Sequence, residues 1–156
     1  MTGAKEEIEN FFAAKLPKGW FAGGPRIDVD DEEILLVGRL PAGAAVEEFR
    51  ETTRTDRVSM AGEAESRFRR KVSWGVEHDG RTVLFTTQST PVMTRLRLPE
   101  RAVLDTLIDA GVARSRSEAL AWCVKLVGRH QAEWLADLRG ALVGVQQVRA
   151  EGPTLI

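Results

Sequence analysis

Hydrophobic residues recur in the first 90 residues with two spacings, one typical of helices and one typical of strands. Ile8, Phe11 and Phe12 fall on one helical stripe with charged residues around them. Shorter aliphatic runs such as residues 34–40 favour strands. The pattern predicts helices over residues 4–16, 44–54 and 56–70, and strands over residues 26–29, 34–40, 72–77 and 82–87. We therefore expect an α+β fold whose N-terminal part contains a small antiparallel sheet.

Two local signals refine this organisation. The Asp79-Gly80 pair lies between the last two predicted strands and favours a tight hairpin. Residues 88–91, Gln-Ser-Thr-Pro, have the composition of a linker. We therefore expect an N-terminal domain over residues 1–90, a second domain over residues 91–150, and a loose tail over residues 151–156.

The second domain opens with a strand-like stretch at residues 93–98. Side chains of a strand point alternately to its two faces, which puts Met93, Arg95 and Arg97 on the outer face. The inward positions are then Thr94, Leu96 and Leu98. Pro99 ends the strand and suits the first turn of a helix, where its missing N–H is not needed.

Helical patterns fill the rest of the second domain. Gly111 is a natural end for the first helix. Ser115 and Glu118 form a capping-box pattern that predicts the start of a second helix. Its apolar face is expected to bury Leu120, Cys123, Val124 and Val127. A third amphipathic helix is expected over about residues 129–150, either after a break at Gly128 or continuous with the second helix. It would cover the N-terminal sheet or lengthen a dimer interface.

Two short motifs at this spacing carry a resemblance to a known family. They are Arg-Leu-Arg-Leu-Pro at residues 95–99 and Arg-Ser-Arg-Ser-Glu-Ala-Leu at residues 114–120. Residues 93–127 resemble the ribbon-helix-helix family, the Arc and MetJ type of DNA-binding domain. The resemblance implies an obligate homodimer. Two copies of the 93–98 strand would pair antiparallel and enter the major groove of double-stranded DNA.

The resemblance also assigns roles to individual residues. It implies that Met93, Arg95 and Arg97 read base edges, and an arginine fork suits guanine O6 and N7. It further implies contacts to the DNA phosphates, including backbone amides at the N-terminus of the second helix. The residues implied in these phosphate contacts are Arg101, Arg114, Ser115, Arg116 and Ser117.

The charge distribution adds one accessory hypothesis. Net charge is −1, which is not the bulk signature of a nucleic-acid-binding protein. The cations nevertheless cluster in residues 37–101, which hold twelve Lys or Arg against nine Asp or Glu. The locally unbalanced stretch Arg67, Arg69, Arg70 and Lys71 is a candidate second contact to the phosphate backbone. The alternative is that it forms ordinary ion pairs on a solvated surface.

The remaining motifs point away from catalysis. No serine, cysteine or histidine lies in a recognisable catalytic pattern, and no glycine-rich phosphate loop is present. The acidic run at residues 30–33 lacks the glycine and distal glutamate of a calcium loop, so a solvated turn is the better interpretation. His130 and Glu133 make a poor metal site without further ligands. We expect no enzyme, no cofactor and no metal.

Neither an N-terminal signal nor a membrane span is expected, because residues 1–10 are polar and no apolar run reaches ~18 residues. Cytoplasmic localisation is therefore predicted.

The sequence supports a dimeric, sequence-specific transcriptional regulator, a repressor by family resemblance. Its N-terminal domain would then sense a small-molecule effector or bind a protein. One alternative is a monomeric α+β domain in which residues 93–127 pack internally. Another is a non-enzymatic dimeric adaptor in which the N-terminal domain blocks the ribbon. The adaptor would bind its partner through Trp20 and Phe21, which otherwise cover a core edge.

Overall fold

A computed structural model describes residues 2–153 of the chain. The chain forms two compact units that divide between Val92 and Met93. The sequence places the domain boundary at residue 90. In the predicted tail, residues 154–156 lie outside the described part, and the residues before them follow the last helix in a turn.

The first unit combines three helices with four strands, which confirms the predicted α+β class. Its helices are α1 (Thr2–Lys15), α2 (Val46–Thr52) and α3 (Arg54–Phe68). Its strands are β1 (Arg26–Val29), β2 (Glu33–Arg39), β3 (Lys71–His78) and β4 (Arg81–Leu84). Every predicted helix and strand of this unit is present, with ends that differ by up to three residues.

The sheet has the order β1-β2-β3-β4 and is mixed. The two outer pairings are antiparallel, but β2 and β3 pair in parallel from Glu33 opposite Lys71 to Arg39 opposite Glu77. The prediction of a wholly antiparallel sheet is therefore wrong for the central pair. The physical reason is that α2 and α3 connect β2 to β3 as a crossover, which returns the chain in the same direction.

The hairpin between β3 and β4 has the backbone that its sequence predicts. Asp79 has φ 50° and Gly80 has φ 72°, so both central residues are left-handed. Positive φ at both positions is the requirement of a type I′ turn, whose twist matches the twist of the flanking strands. The Asp-Gly pair therefore sets the register of β4 against β3.

The core of the first unit lies between the helices and one face of the sheet. Ile8 and Phe12 of α1 are fully buried, as their helical stripe predicts. The ring of Phe12 meets Trp74 of β3 edge-on, with ring centroids 5.9 Å apart. The stripe of α1 is thus the contact that attaches this helix to the sheet.

Arg57 is a buried cation within this unit. Only 6% of the residue is exposed. Its Nε donates to Thr53 Oγ1 at 3.0 Å and its Nη2 donates to the carbonyl of Arg50 at 2.8 Å. The guanidinium lies over the ring of Phe85, 4.9 Å from the centroid. Burial, followed by the nearby positive charges of Arg50 and Arg54, lowers the pKa of Arg57.

The loop with Trp20 and Phe21 covers an edge of the core. Both rings are half-buried, and Trp20 meets Phe49 of α2 edge-on at 5.5 Å. Phe21 lies directly on Gly38 of β2, where any side chain would overlap its ring. These contacts favour the core-covering interpretation over a free partner surface.

The second unit contains three helices, α4 (Leu98–Asp109), α5 (Arg116–His130) and α6 (Ala132–Ala150). In the single chain residues 93–97 have no strand partner and no regular secondary structure. Leu98, predicted as the last inward strand residue, instead begins α4 and is exposed. Gly128 lies inside α5, so a break at Gly128 is wrong, and so is the alternative of one continuous helix. The break lies at Gln131, which follows the last residue of α5, His130, and precedes the first residue of α6, Ala132.

The second unit has a small core for its size. Among its described residues only Leu104, Ala113 and Ala119 are buried apolar residues, with Leu96, Leu107, Leu120 and Cys123 half-buried around them. Val124 and Val127, predicted to be buried on α5, are exposed. The apolar faces of these helices are therefore largely uncovered within one chain.

Across residues 2–153, no helix combines the length and apolar character that crossing a membrane requires.

Candidate nucleic-acid interface

The segment before α4, residues 93–97, presents the three side chains that the sequence predicts on its outer face, but Thr94, predicted to face inward, is exposed as well. Met93 is 94% exposed, and Arg95 and Arg97 are also exposed. Leu96 between them is half-buried against the Leu104 cluster. Leu96 thus anchors this segment to the helices and leaves both arginines in solvent.

Arg95 and Arg97 are free of ion pairs within the described residues, because neither lies within 4.0 Å of a carboxylate oxygen there. A fully solvated guanidinium keeps all five of its N–H donors for an external acceptor. The two side chains differ in this respect from Arg101, Arg114 and Arg116, the other arginines of this unit proposed to contact DNA.

Arg101 is tied to the backbone of the same segment. Its Nη1 donates to the carbonyl oxygen of Leu96 at 2.6 Å. This bond closes the entry to α4 and fixes the direction in which the segment leaves the helix. Arg101 therefore positions residues 95–97, and only its remaining donors are free for a phosphate.

The N-terminus of α5 carries the predicted cap with one difference. Ser115 Oγ accepts from the backbone N–H of Glu118 at 3.1 Å, as the capping box requires. The Glu118 carboxylate, however, accepts from the backbone N–H of Arg114 at 2.8 Å instead of that of Ser115. The Glu118 bond of the capping box is thus made to the residue before the N-cap, and it also holds the loop that precedes the helix.

Arg114 and Arg116 are both paired with carboxylates of their own unit. Arg116 donates to Asp105 of α4 with two bonds of 2.9 Å, and Arg114 lies 3.2 Å from Glu118. The hydrogen bonds from Arg116 lower the pKa of Asp105, and the backbone N–H of Arg114 with its guanidinium lowers the pKa of Glu118. Both predicted phosphate contacts would therefore compete with an internal partner.

The first backbone amides of α5 offer a second kind of anion donor. The amides of Arg116 and Ser117 have no acceptor within the described chain, since the first N–H groups of a helix have no intrahelical partner. The helix dipole adds partial positive charge at this end. The predicted amide contact at residues 115–117 is therefore geometrically open.

The accessory basic stretch is mostly neutralised. Arg70 donates to the carbonyl of Asp30 and lies 3.6 Å from the carboxylate of Asp31. Lys71 pairs with Glu65 at 3.0 Å. Arg67 lies over the aromatic rings of Phe11 and Phe68. Arg69, at the left-handed end of α3, forms no ion pair with a described carboxylate. These contacts favour the surface ion-pair interpretation over a phosphate-binding patch.

The acidic run between β1 and β2 is an Asx turn. Asp30 Oδ1 accepts from the backbone N–H of Glu32 at 2.9 Å and from that of Glu33 at 2.7 Å. Within residues 2–153, no group of three or more His, Cys, Asp or Glu side chains is placed to hold a metal ion. The carboxylate of Asp30 is occupied in shaping the turn.

The first unit contains a polar cleft at the carboxyl ends of β2 and β3. Its volume is about 710 Å³, and its charged or titratable lining residues are Arg39, Glu77, His78 and Asp79. The ends of neighbouring parallel strands are common places for small ligands. This cleft is therefore the candidate effector site of the first unit.

Two features of the candidate interface were missed by sequence reasoning. Asp105 was not identified as the partner of Arg116, because the two are eleven residues apart on different helices. The bond from Arg101 to Leu96 was also not foreseen, although an arginine three residues inside a helix can reach back over its first turn.

Comparison with known proteins finds two family models and several relatives that match this chain. The family model described as "Rv1265-like protein, N-terminal domain" matches residues 6–84, and the one described as "Mb1296 C-terminal domain" matches residues 97–149. The chain is 54% identical over 157 residues to "Uncharacterized protein Rv1265" of Mycobacterium tuberculosis strain H37Rv and to "Uncharacterized protein Mb1296" of Mycobacterium bovis. The aligned region covers 93% of this chain and 70% of each relative. No solved structure matches the chain. Since the N-terminal family model spans half of the chain and the identity extends over most of both proteins, the chain belongs to the Rv1265-like family.

Proposed function

We propose that the protein is a dimeric, sequence-specific DNA-binding regulator of transcription, of the ribbon-helix-helix type. In the dimer, residues 93–97 of two copies pair as an antiparallel ribbon and enter the major groove. The proposal includes a cytoplasmic location and no enzymatic activity.

The observation that carries the proposal is the state of Arg95 and Arg97. They lie on an extended segment that leads into a helix with proline in its first turn, and they are the arginines of this unit's candidate interface without an internal partner. A long cation without a carboxylate partner is suited to base edges that present two acceptors. Each bidentate arginine–guanine pair contributes about 1–3 kcal/mol of base discrimination.

The backbone of the same segment supports a ribbon. Residues 93–97 lie outside every strand of the single chain, so most of their N–H and C=O groups remain available. The groups of an unpaired extended segment are a template for another strand. A second copy of the same segment would satisfy them through a two-fold axis.

The uncovered helix faces support dimerisation. A unit of this size needs more buried apolar surface than Leu104, Ala113 and Ala119 supply, since small domains are marginally stable. Exposed Val103, Val124 and Val127 would become core residues of a dimer. The resemblance to ribbon-helix-helix proteins implies the same obligate dimer.

Phosphate anchoring would rest on the free amides of Arg116 and Ser117. Arg114 and Arg116 would join only by leaving Glu118 and Asp105, which reduces their net contribution. The cleft at residues 39–43 and 77–82 gives the first unit a place for an effector, and the identity of that effector is not specified by its lining.

The test begins with selection of bound duplexes from a random pool, followed by affinity measurements at two salt concentrations. We expect one preferred sequence and an affinity that falls as salt rises, because phosphate contacts release counterions. Arg95→Ala and Arg97→Ala should each weaken specific binding roughly tenfold or more. Arg139→Ala, an exposed arginine of α6, is the matched control and should leave affinity unchanged.

A dimer that shows no salt-dependent affinity for any duplex would refute the proposal. That result would favour the adaptor alternative, which the exposed apolar faces of α5 and α6 also suit. The Trp20 and Phe21 surface is less suited to binding the partner of such an adaptor, because both rings already pack on Phe49 within the chain.

A further inference from the structure

The helix α6 carries an apolar stripe that is largely uncovered in the described chain, with only its first residue, Leu135, half-buried. Leu135, Leu138, Leu142 and Val145 follow one another at spacings of three, four and three residues. Leu138, Leu142 and Val145 are 43%, 54% and 55% exposed. Trp134 and Val148 border the stripe and are 56% and 71% exposed. The ribbon-helix-helix proposal does not use this helix.

The area of the stripe is a large part of what one partner buries in a stable dimer. Aromatic side chains bury about 150–250 Å² each and aliphatic ones less, so these half-exposed residues offer on the order of 500 Å² per copy. Apolar patches of roughly 300–600 Å² are the largest on ordinary monomers and are often functional. A standard interface buries about 800 Å² per partner, so the stripe would supply more than half of one.

The chemistry of the stripe fits another copy of itself. Alternating spacings of three and four residues form the seam along which two helices interlock side chains. The helix has two acidic and two basic residues, so two copies meet without net repulsion. Of the charged residues between Leu135 and Val145, Asp137 lies off the stripe and Arg139 lies on its border. The stripe itself is apolar, and a two-fold axis makes an apolar surface complementary to itself.

The small core of the second unit also favours a permanent partner. Much of the apolar surface of the second unit is exposed, and its own core is small. If this surface must be covered for the unit to be stable, each copy of the chain needs one copy of its partner. A second copy of the same chain meets that condition whenever the chain is made.

We propose that α6 of one chain pairs with α6 of a second chain along Leu135, Leu138, Leu142 and Val145. This contact lies outside the ribbon and does not depend on DNA binding. A chain with a disabled ribbon would still form the α6 pair. Conversely, loss of the α6 pair would leave the DNA-reading arginines unchanged.

Crosslinking tests the contact directly. In a Cys123→Ser background, Leu138→Cys and Leu142→Cys place a thiol on the stripe near its centre. Val143→Cys is the matched control, because Val143 is 63% exposed but points away from the stripe, about 100° around the helix from Leu142 and about 140° from Leu138. A short bis-maleimide should link the two stripe variants into dimers at least tenfold faster than the control. Equal rates for all three would overturn the proposal.

Sedimentation of the full-length protein gives an independent readout. The double substitution Leu138→Glu, Leu142→Glu should raise the dimer dissociation constant at least tenfold, while Val143→Glu should not change it. Circular dichroism must show equal helix content in both variants. An unchanged dissociation constant in the double variant would refute α6 pairing. It would not affect the ribbon proposal, which is tested separately by Arg95→Ala and Arg97→Ala binding.

Discussion

Arg116 at the start of α5 forms a bidentate ion pair with Asp105 of α4, with Nε 2.9 Å from Oδ1 and Nη2 2.9 Å from Oδ2. The fork of the guanidinium matches the carboxylate, which makes the pair directional as well as charged. The pair links α4 and α5 at the N-terminus of α5, where the resemblance to ribbon-helix-helix proteins predicts a phosphate contact.

Acid should loosen this helix pair. Because Arg116 lowers the pKa of Asp105 below its ordinary 3.8, folding favours the ionised carboxylate. The added stability is therefore present above pH 3.8 and is lost as the pH falls through the lower folded value. Glu118, whose pKa is lowered from 4.5 by the amide of Arg114, acts in the same direction.

The measurement is the urea midpoint of the full-length protein between pH 6 and pH 2.5. Wild type should lose stability steadily at the acidic end. Asp105→Asn should start less stable at pH 6 and show a shallower loss. Identical slopes for the two proteins would show that the pair makes no contribution. The effect is expected to be small because both carboxylates are open to solvent.

Replacement of Arg57 by alanine should destabilise the first unit by about 2–4 kcal/mol. The substitution removes the cation from the face of Phe85 and leaves the Arg50 carbonyl and the Thr53 hydroxyl without their donor. Denaturant unfolding followed by tryptophan fluorescence measures the change. Arg54→Ala is the control on the neighbouring exposed position and should shift stability by less than about 0.5 kcal/mol. Equal losses in the two variants would contradict a special role for Arg57.

Gly38→Ala should cost about 1–3 kcal/mol, since a Cβ at Gly38 would overlap the ring of Phe21 and push it off β2. Gly24→Ala is a matched control in the same region, because a Cβ there meets open space at an ordinary backbone angle. Thermal unfolding of both variants gives the comparison. A Gly38→Ala protein as stable as the Gly24→Ala protein would mean that the loop carrying Phe21 moves aside without cost.

Local features such as helix stripes, turns and caps could be predicted from the sequence. The pairing of elements that are distant in sequence could not. The α1 stripe, the Asp79-Gly80 turn and the Ser115 cap each depend on residues a few positions apart, and each is present. The parallel pairing of β2 with β3 depends on how α2 and α3 return the chain, which leaves no local signature. An antiparallel arrangement has the same strand pattern.

The environments of charged residues were also hard to predict, because they depend on residues that are distant in sequence. Arg57 looks like its solvated neighbours in sequence, and only the position of Phe85 after β4 makes it a buried cation. Arg116 looks like a free phosphate ligand until Asp105 is brought beside it by the α4–α5 turn. Alternation along a strand predicted that Arg95 and Arg97 are exposed, and they are, but Thr94 and Leu98, predicted to face inward, are exposed too. Alternation is therefore not what exposes the two arginines in the single chain.

The four-residue length of the two outermost strands has a consequence for how the molecule avoids aggregation. β1 and β4 both end the sheet after four residues, and each carries an arginine at its start. Short, charged borders are poor templates for the open-ended stacking of sheets from different molecules. The first unit is thereby protected against fibre-like growth. Under the proposals above, association between copies uses surfaces of the second unit, where a two-fold arrangement would stop at a pair.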